Sequence, residues 1–400
     1  MISFARHAQV LRTPDLAAML GASVVGRLPI GMASLALLLF VQTGSGSFAR
    51  AGTVAGLYVL GLALVAPVLG RFIDRLGPRS VLVVTATAYP VLLLALIALA
   101  RADGPAPLLY AAALAAGAAF PPVTICVRVL LPRLVTEPGL LHTAYALDSV
   151  VIEFMFIFGP ALVAAFAAAG RVGGAVVLCA VCAAAGAWGF ARTAAVRRWR
   201  REPERTARNL LGPLHSRPLV AIYLATFLFS VAFGLFEVAV TAFASRAGSA
   251  AAAGIILALA SVGSAAGAVY YGSHEWKSPA PRQFVVALVL MAASILIMAP
   301  LGNLYVFGLA SVLSGAPMAT VMATQSVLIS RLAPPAMAAE SFTWAATCLL
   351  SGIGAGIALG GVLVEVWTPG AVFVAAAGAT AAAAVIAAAG LRKGSSIKKD

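Results

Sequence analysis

The stretch "GRFIDRLGPR", residues 70–79, separates the apolar run "LYVLGLALVAPVL" (57–69) from "SVLVVTATAYPVLLLALIALA" (80–100). Arg71, Asp74, Arg75 and Arg79 crowd into it with Gly70, Gly77 and Pro78. A bilayer core takes about 20 apolar residues per helix. The pattern therefore predicts two bilayer-crossing helices joined by a short charged turn.

The same alternation continues on both sides. Of the 400 residues, 62% are hydrophobic and 10% charged, with a mean hydropathy of +1.02. Soluble domains carry about 25% charged residues, so most of this surface is expected to face lipid. Twelve helices are predicted, at roughly 16–42, 50–70, 80–101, 105–132, 140–169, 172–192, 218–244, 250–271, 283–301, 304–330, 338–365 and 369–391. The first apolar run, from Leu16, is too long for a cleavable signal peptide and lacks an A-x-A-like site.

Placing the charges on this outline explains the net charge of +14. Arg50, Arg101, Arg171 and Arg246 fall at one face and Arg27 inside a helix, while the other Lys and Arg residues gather at the opposite face. That asymmetry is the positive-inside pattern. It predicts a multi-pass protein of a bacterial cytoplasmic membrane with both termini cytoplasmic, and it accounts for the basic balance without nucleic acid. Cys179 and Cys182 form a C-x-x-C, but no second pair or nearby His accompanies it. Small-residue helix packing in lipid is the reading adopted, so no metal is expected.

The longest polar interval, "TAAVRRWRREPERTARNLLGPLHSR" (193–217), has six predicted helices on each side. The organisation expected is a six-helix bundle over 1–192, a basic cytoplasmic linker over 193–217, a second bundle over 218–391 and a tail over 392–400. Shifting the chain by about 200 residues aligns Gly70 with Gly272, Arg133-Leu134 with Arg331-Leu332 and Gly31 with Gly234. A duplicated six-helix unit is a mark of secondary transporters.

Gly70, Asp74, Arg75, Gly77 and Arg79 stand in the pattern G-x-x-x-D-R-x-G-x-R between helices two and three. The pattern resembles the signature loop of the major facilitator superfamily, with Pro78 where a basic residue is usual. The resemblance covers the whole chain and implies an all-α protein of twelve helices in two pseudo-symmetric bundles. It also implies that this loop latches the halves together when the protein faces outward. The glycines would let backbones turn and pass closely, and Asp74 would accept hydrogen bonds from Arg or a helix N-terminus. A solvated positive-inside loop is the plainer alternative.

Ionisable groups within bilayer helices are expensive and mark pairs or pathways. Arg128 and Asp148 lie near the cytoplasmic ends of adjacent helices, where a pair would buttress Asp74; a substrate role is the alternative. Arg27 and Glu153 lie deeper, at similar depths, and would form either a permanent salt bridge or a proton or substrate switch. Glu237 has no basic partner within its own half, and it follows Phe229, Phe233 and Phe236 at helical spacing. Buried carboxyl groups without a basic partner are candidate proton carriers. The aromatic stripe reads as packing or as the wall of a pocket. Ser34 stands near the place in helix one that corresponds to Glu237. Gln325 and Trp344 are further binding candidates.

Gly159 and Pro160 match the core of a glycine-rich pattern in helix five of drug-exporting branches, and Pro160 would bend the helix. Ala146, Met155, Val163 and Ala164 replace glycines of that pattern. No G-x-x-x-x-G-K-[ST], H-E-x-x-H or G-x-S-x-G occurs, so neither a cofactor nor enzymatic chemistry is expected. The function expected is proton-coupled export of a small organic molecule by a monomer. Uptake of a sugar or organic acid is the alternative, and a membrane-embedded enzyme or transport-dead sensor is a reading of another class.

Overall fold

Inside a bilayer, backbone amides find no water, so a spanning segment must satisfy them within itself. The apolar runs accordingly fold as helices throughout the computed structural model, which describes residues 15–135, 138–199, 212–273, 277–333 and 338–392. The first six spans are α1 (α1a, Leu16–Arg27, and α1b, Pro29–Ser45), α2 (Phe48–Leu76), α3 (Pro78–Arg101), α4 (α4a, Ala106–Ala118, and α4b, Val123–Leu134), α5 (Pro138–Ala168) and α6 (Val172–Ala191). The second six are α7 (Arg217–Arg246), α8 (Ala250–Ser273), α9 (Ala280–Met298), α10 (Leu304–Leu332), α11 (Ala338–Val366) and α12 (Pro369–Arg392). Eleven spans of the described residues are long and apolar enough to cross a membrane; α5 is the twelfth, with a shorter apolar stretch at Phe154–Ala168. The linker between the bundles is described at its two ends, a turn of helix at Ala194–Arg197 and a 3-10 turn at Gly212–His215.

The opening stretch is tighter than its sequence suggests. Helix α2 runs through Gly70 to Leu76, and α3 begins at Pro78, so the expected loop contracts to Gly77. Gly77 takes φ 85°, ψ 155°, a conformation that glycine adopts without side-chain cost. Proline at the first position of a helix gives up no hydrogen bond. The Trp199 ring lies over Gly77, and a methyl group there would sit 3.2 Å from it.

Two spans expected to be continuous are broken. Pro29 has no N–H, and α1 interrupts at Leu28, whose N–H is shared between the carbonyls of Val24 and Val25. Pro121 and Pro122 separate α4a from α4b in the same way. By contrast α5 continues through Gly159 and Pro160 as one helix.

The halves meet through α2 against α11 and α5 against α8. Gly52 and Gly56 of α2 make this approach possible: a methyl group at Gly52 would lie 2.7 Å from the Ile357 carbonyl, and one at Gly56 2.5 Å from that of Gly354. Across the pseudo-twofold axis a methyl group on Gly254 of α8 would meet the Pro160 carbonyl and lie 2.9 Å from the Ala164 Cβ. All these contacts lie toward the face that holds the loops at 46–47, 102–105 and 247–249, here termed the far face. The other face, holding Arg75, Gly77 and Arg79, is termed the basic face. Gly70 lies 18 residues, about five turns, beyond Gly52 and so on the same side of α2, yet nothing among the described residues would come within 4 Å of a methyl group placed on it. Among the described residues the halves are closed together at the far face and part toward the basic face.

Candidate functional site

Where the parting ends, the two halves share a hydrogen bond. Ser34 of α1b donates its hydroxyl to Glu237 Oε1 of α7 at 2.5 Å. Glu237 is 5% exposed and Ser34 half-buried. Each is brought there by a close crossing within its own half. Gly31 lets α1b ride on the Met155 backbone of α5, and Gly234 lets α7 ride on Ile353 and Gly356 of α11. Among the described residues Glu237 has no basic partner in its own half, and it takes a hydroxyl partner from the other. A carboxyl group held this way can exchange a proton when water reaches it, and its hydrogen bond to Ser34 changes with that exchange.

The aromatic stripe divides. Phe229 is fully buried, Phe236 is 5% exposed and Phe233 is half-buried. Phe236 packs edge-on to Phe373 of α12, ring centroids 5.8 Å apart, and Phe373 in turn meets Phe307 of α10 at 5.4 Å. Phe236 thus belongs to the core of the second bundle and not to a pocket wall. Gln325 is also buried, its amide donating to the Thr226 hydroxyl at 2.5 Å, which ties α10 to α7. Trp344 is half-buried on α11 against the same core.

The deep arginine takes a partner other than the one expected. Arg27 is fully buried, and its NH1 lies 2.5 Å from Asp148 Oδ1. Depth explains the choice. Arg27 lies eleven residues beyond the start of α1, Asp148 ten beyond the start of α5 and Glu153 fifteen. At about 1.5 Å per residue, Glu153 is about one turn too far along. The Glu153 side chain itself lies outside the described residues. Arg128 Nε is 3.7 Å from Asp148 Oδ2, so the expected Arg128–Asp148 approach forms, with Asp148 shared between two arginines. The Nε and NH2 of Arg27 are buried without a hydrogen-bond partner among the described residues.

At the basic face Arg75 and Arg79 are exposed, while the side chains of Arg71 and Asp74 lie outside the described residues. Among the described residues nothing lies within 4 Å of a methyl group placed on Gly70, so the close approach expected there is not among the contacts of this conformation. Gly159 and Pro160 are buried. Gly159 packs on the Gly31 backbone, where a methyl group would meet it at 2.6 Å, and Pro160 faces Gly254. Cys179 is buried and Cys182 half-buried, both as free thiols. No group of three or more metal-ligating side chains occurs among the described residues.

Reading the sequence overlooked Glu365 and Ser47. They meet across the halves at the far face, the Ser47 hydroxyl donating to Glu365 Oε1 at 2.6 Å. A serine opening α2 was a visible N-cap signal; its partner, 318 residues away, had no local signal at all.

The sequence profile of the Major Facilitator Superfamily matches residues 19–273. No curated protein sequence matches this chain. Among solved structures, the nucleoside transporter NupG superposes with a TM-score of 0.73 at 14% identity, over 94% of this chain and 99% of that one. The POT family transporter PepTSo gives 0.67 at 16% identity, over 95% and 98%. At such identities the likeness is one of fold.

Proposed function

Because this chain belongs to the Major Facilitator Superfamily, a family of multi-pass membrane transporters and not enzymes, we propose that it exports a small organic molecule in exchange for protons. The observation that carries this reading is the half-buried Ser34–Glu237 hydrogen bond at the closed end of the parting between the halves. In an alternating-access cycle this point is reached from one face at a time. Glu237 then takes up a proton from one side and releases it to the other as the halves rock. With the basic face cytoplasmic, as the distribution of Lys and Arg supports, this conformation faces the cytoplasm and both termini lie inside the cell. The Gly159-Pro160 pair at the α1–α5 and α5–α8 crossings supports the exporting direction, since its pattern resembles that of drug-exporting branches. Asp74, Arg75 and Arg79, with Gly77 as the turn, act as the cytoplasmic latch of the opposite conformation. The protein works as a monomer.

The test begins with a thermal-shift panel of organic cations, organic acids and sugars, because a ligand stabilises the state it binds. The stabilising compound is then used in proteoliposomes. Glu237→Gln keeps the acceptor for Ser34 but carries no proton. It is expected to support counterflow at a rate near that of the wild type while losing accumulation driven by a pH gradient. Undiminished gradient-driven transport would remove Glu237 as the carrier.

A further inference from the structure

Glu365 closes the last turn of α11 at the far face and reaches across to the first turn of α2 in the other half. Its Oε1 accepts from the Ser47 hydroxyl at 2.6 Å and from the backbone N–H of Ala49 at 2.9 Å. Ser47 is the N-cap of α2, and its oxygen also accepts from the Arg50 N–H at 3.1 Å. The first N–H groups of a helix have no partner within it and carry the positive end of its dipole. In many helices an acid at the third position folds back to serve them. That position in α2 is Arg50, which cannot, and a carboxylate from the opposite half takes the place.

Both ends of this link are anchored. Arg50 is bound to Asp103 at 2.7 Å and to the Gly104 carbonyl at 3.1 Å, tying the start of α2 to the α3–α4 loop. Arg246 donates to the Val364 carbonyl at 2.8 Å, tying the end of α11 to α7. One turn before Glu365, Gly361 meets Gly52, where a methyl group on Gly52 would lie 2.8 Å from the Gly361 Cα. The acid therefore sits at the outer rim of the glycine seam that joins the halves.

We propose that Glu365 is a far-face latch, made when the halves close there and released each time they open. The proposal rests on the alternating-access reading given above. It assigns α2 and α11 an acid at each end of their pairing. Glu365 of α11 holds the start of α2 in the conformation described, and Asp74 near the end of α2 serves the basic face in the other. Because Glu365 is exposed, water replaces it readily when the latch opens, and the bias it supplies is modest and reversible.

The test uses the full chain in lipid nanodiscs, with spin labels at Ala102→Cys and Ala247→Cys on the far-face loops in a background lacking reactive native cysteines. Glu365→Ala is expected to raise the population with the far face open about fivefold, the scale of losing one N-terminal cap. Glu365→Gln, which keeps an acceptor without the charge, is expected to shift it less in the same direction. Gly52→Leu, which wedges the glycine seam, serves as the control for opening. If Gly52→Leu opens the far face and Glu365→Ala leaves the distances unchanged, the latch is overturned and alternating access stands. If neither variant opens it, both readings fall.

Discussion

Ser34 and Glu237 stand 203 residues apart in the chain, the same interval that separates Gly31 from Gly234, and their side chains hydrogen-bond to each other. Equivalent positions of the two halves thus meet at the pseudo-twofold axis, one as donor and one as acceptor. A residue on such an axis faces its own counterpart, so duplication alone would have placed like against like. Two serines would have made a neutral contact and two glutamates a repulsive one. With an acid in one half and a hydroxyl in the other, the axis holds one titratable group with a partner in either protonation state.

Removing the Ser34 hydroxyl leaves Glu237 buried without its donor. Ser34→Ala is expected to lower stability by about 1–2 kcal/mol, the scale of stranding a buried polar group. Glu237→Gln, which still accepts from Ser34, is expected to stay within about 0.5 kcal/mol of the wild type. Thermal unfolding in a single detergent ranks the two variants. Equal losses would mean that the hydrogen bond contributes nothing to holding the halves together.

Arg27 and Asp148 are expected to be coupled. Removing either one leaves a buried charge uncompensated, typically about 3–5 kcal/mol, whereas Arg27→Leu with Asp148→Leu together should cost less than the sum of the two. The parallel cycle of Arg27→Leu with Glu153→Leu should be additive within about 0.5 kcal/mol. Coupling in the second cycle and additivity in the first would restore the Arg27–Glu153 pairing. The residual charge of Arg128, 3.7 Å from Asp148, should make Asp148→Leu the costlier single change.

Gly52→Ala is expected to destabilise the far-face-closed arrangement by about 1–3 kcal/mol, because the added methyl group meets backbone and not a flexible side chain. Gly378→Ala in α12, where nothing lies within 4 Å, should be neutral or slightly stabilising through helix propensity. Distances between spin labels on the two halves read the first effect, and unfolding midpoints read both. Identical behaviour of the two variants would mean that the glycine seam is not the contact that closes the far face.

Asp74→Asn is expected to insert and fold normally and to shift the population toward the conformation described, with the basic face parted. Labels at the basic-face ends of α2 and α11 measure this. An unchanged distribution would reduce the Asp74 motif to a solvated turn that serves membrane orientation alone.

Much of the architecture was legible in the chain. The apolar runs located all twelve spans because lipid makes long hydrophobic stretches unambiguous. Gly77-Pro78 announced the α2–α3 turn through the chemistry of a helix end followed by a helix start. The turn itself is shorter than the charged stretch implies, since residues 71–76 continue α2 instead of leaving it. The breaks in α1 and α4 were visible as Pro29 and Pro121-Pro122, but a proline in a membrane helix does not by itself say whether the helix breaks. α5 passes through Pro160 unbroken.

The partners were another matter. Arg27 meets Asp148 because the two lie at nearly the same depth, eleven residues into α1 and ten into α5. Of the two readings of the aromatic stripe, packing describes Phe236: adjacent residues on a helix point about 100° apart, and Phe236 turns into the bundle core against Phe373.

What the sequence by itself determined is everything that depends on local chemistry: the membrane class, the spans, the turn at Gly77, the distribution of basic charge and the repeat that relates the halves. Tertiary structure alone decided which groups meet. The hydrogen bonds from Ser34 to Glu237 and from Ser47 to Glu365 join residues 203 and 318 positions apart. Hydrophobic periodicity sets which face of a helix is buried, but these meetings depend on how far each helix is shifted and rotated against one in the other half. Those rigid-body terms come from glycine contacts between helices, and no short stretch of sequence records them.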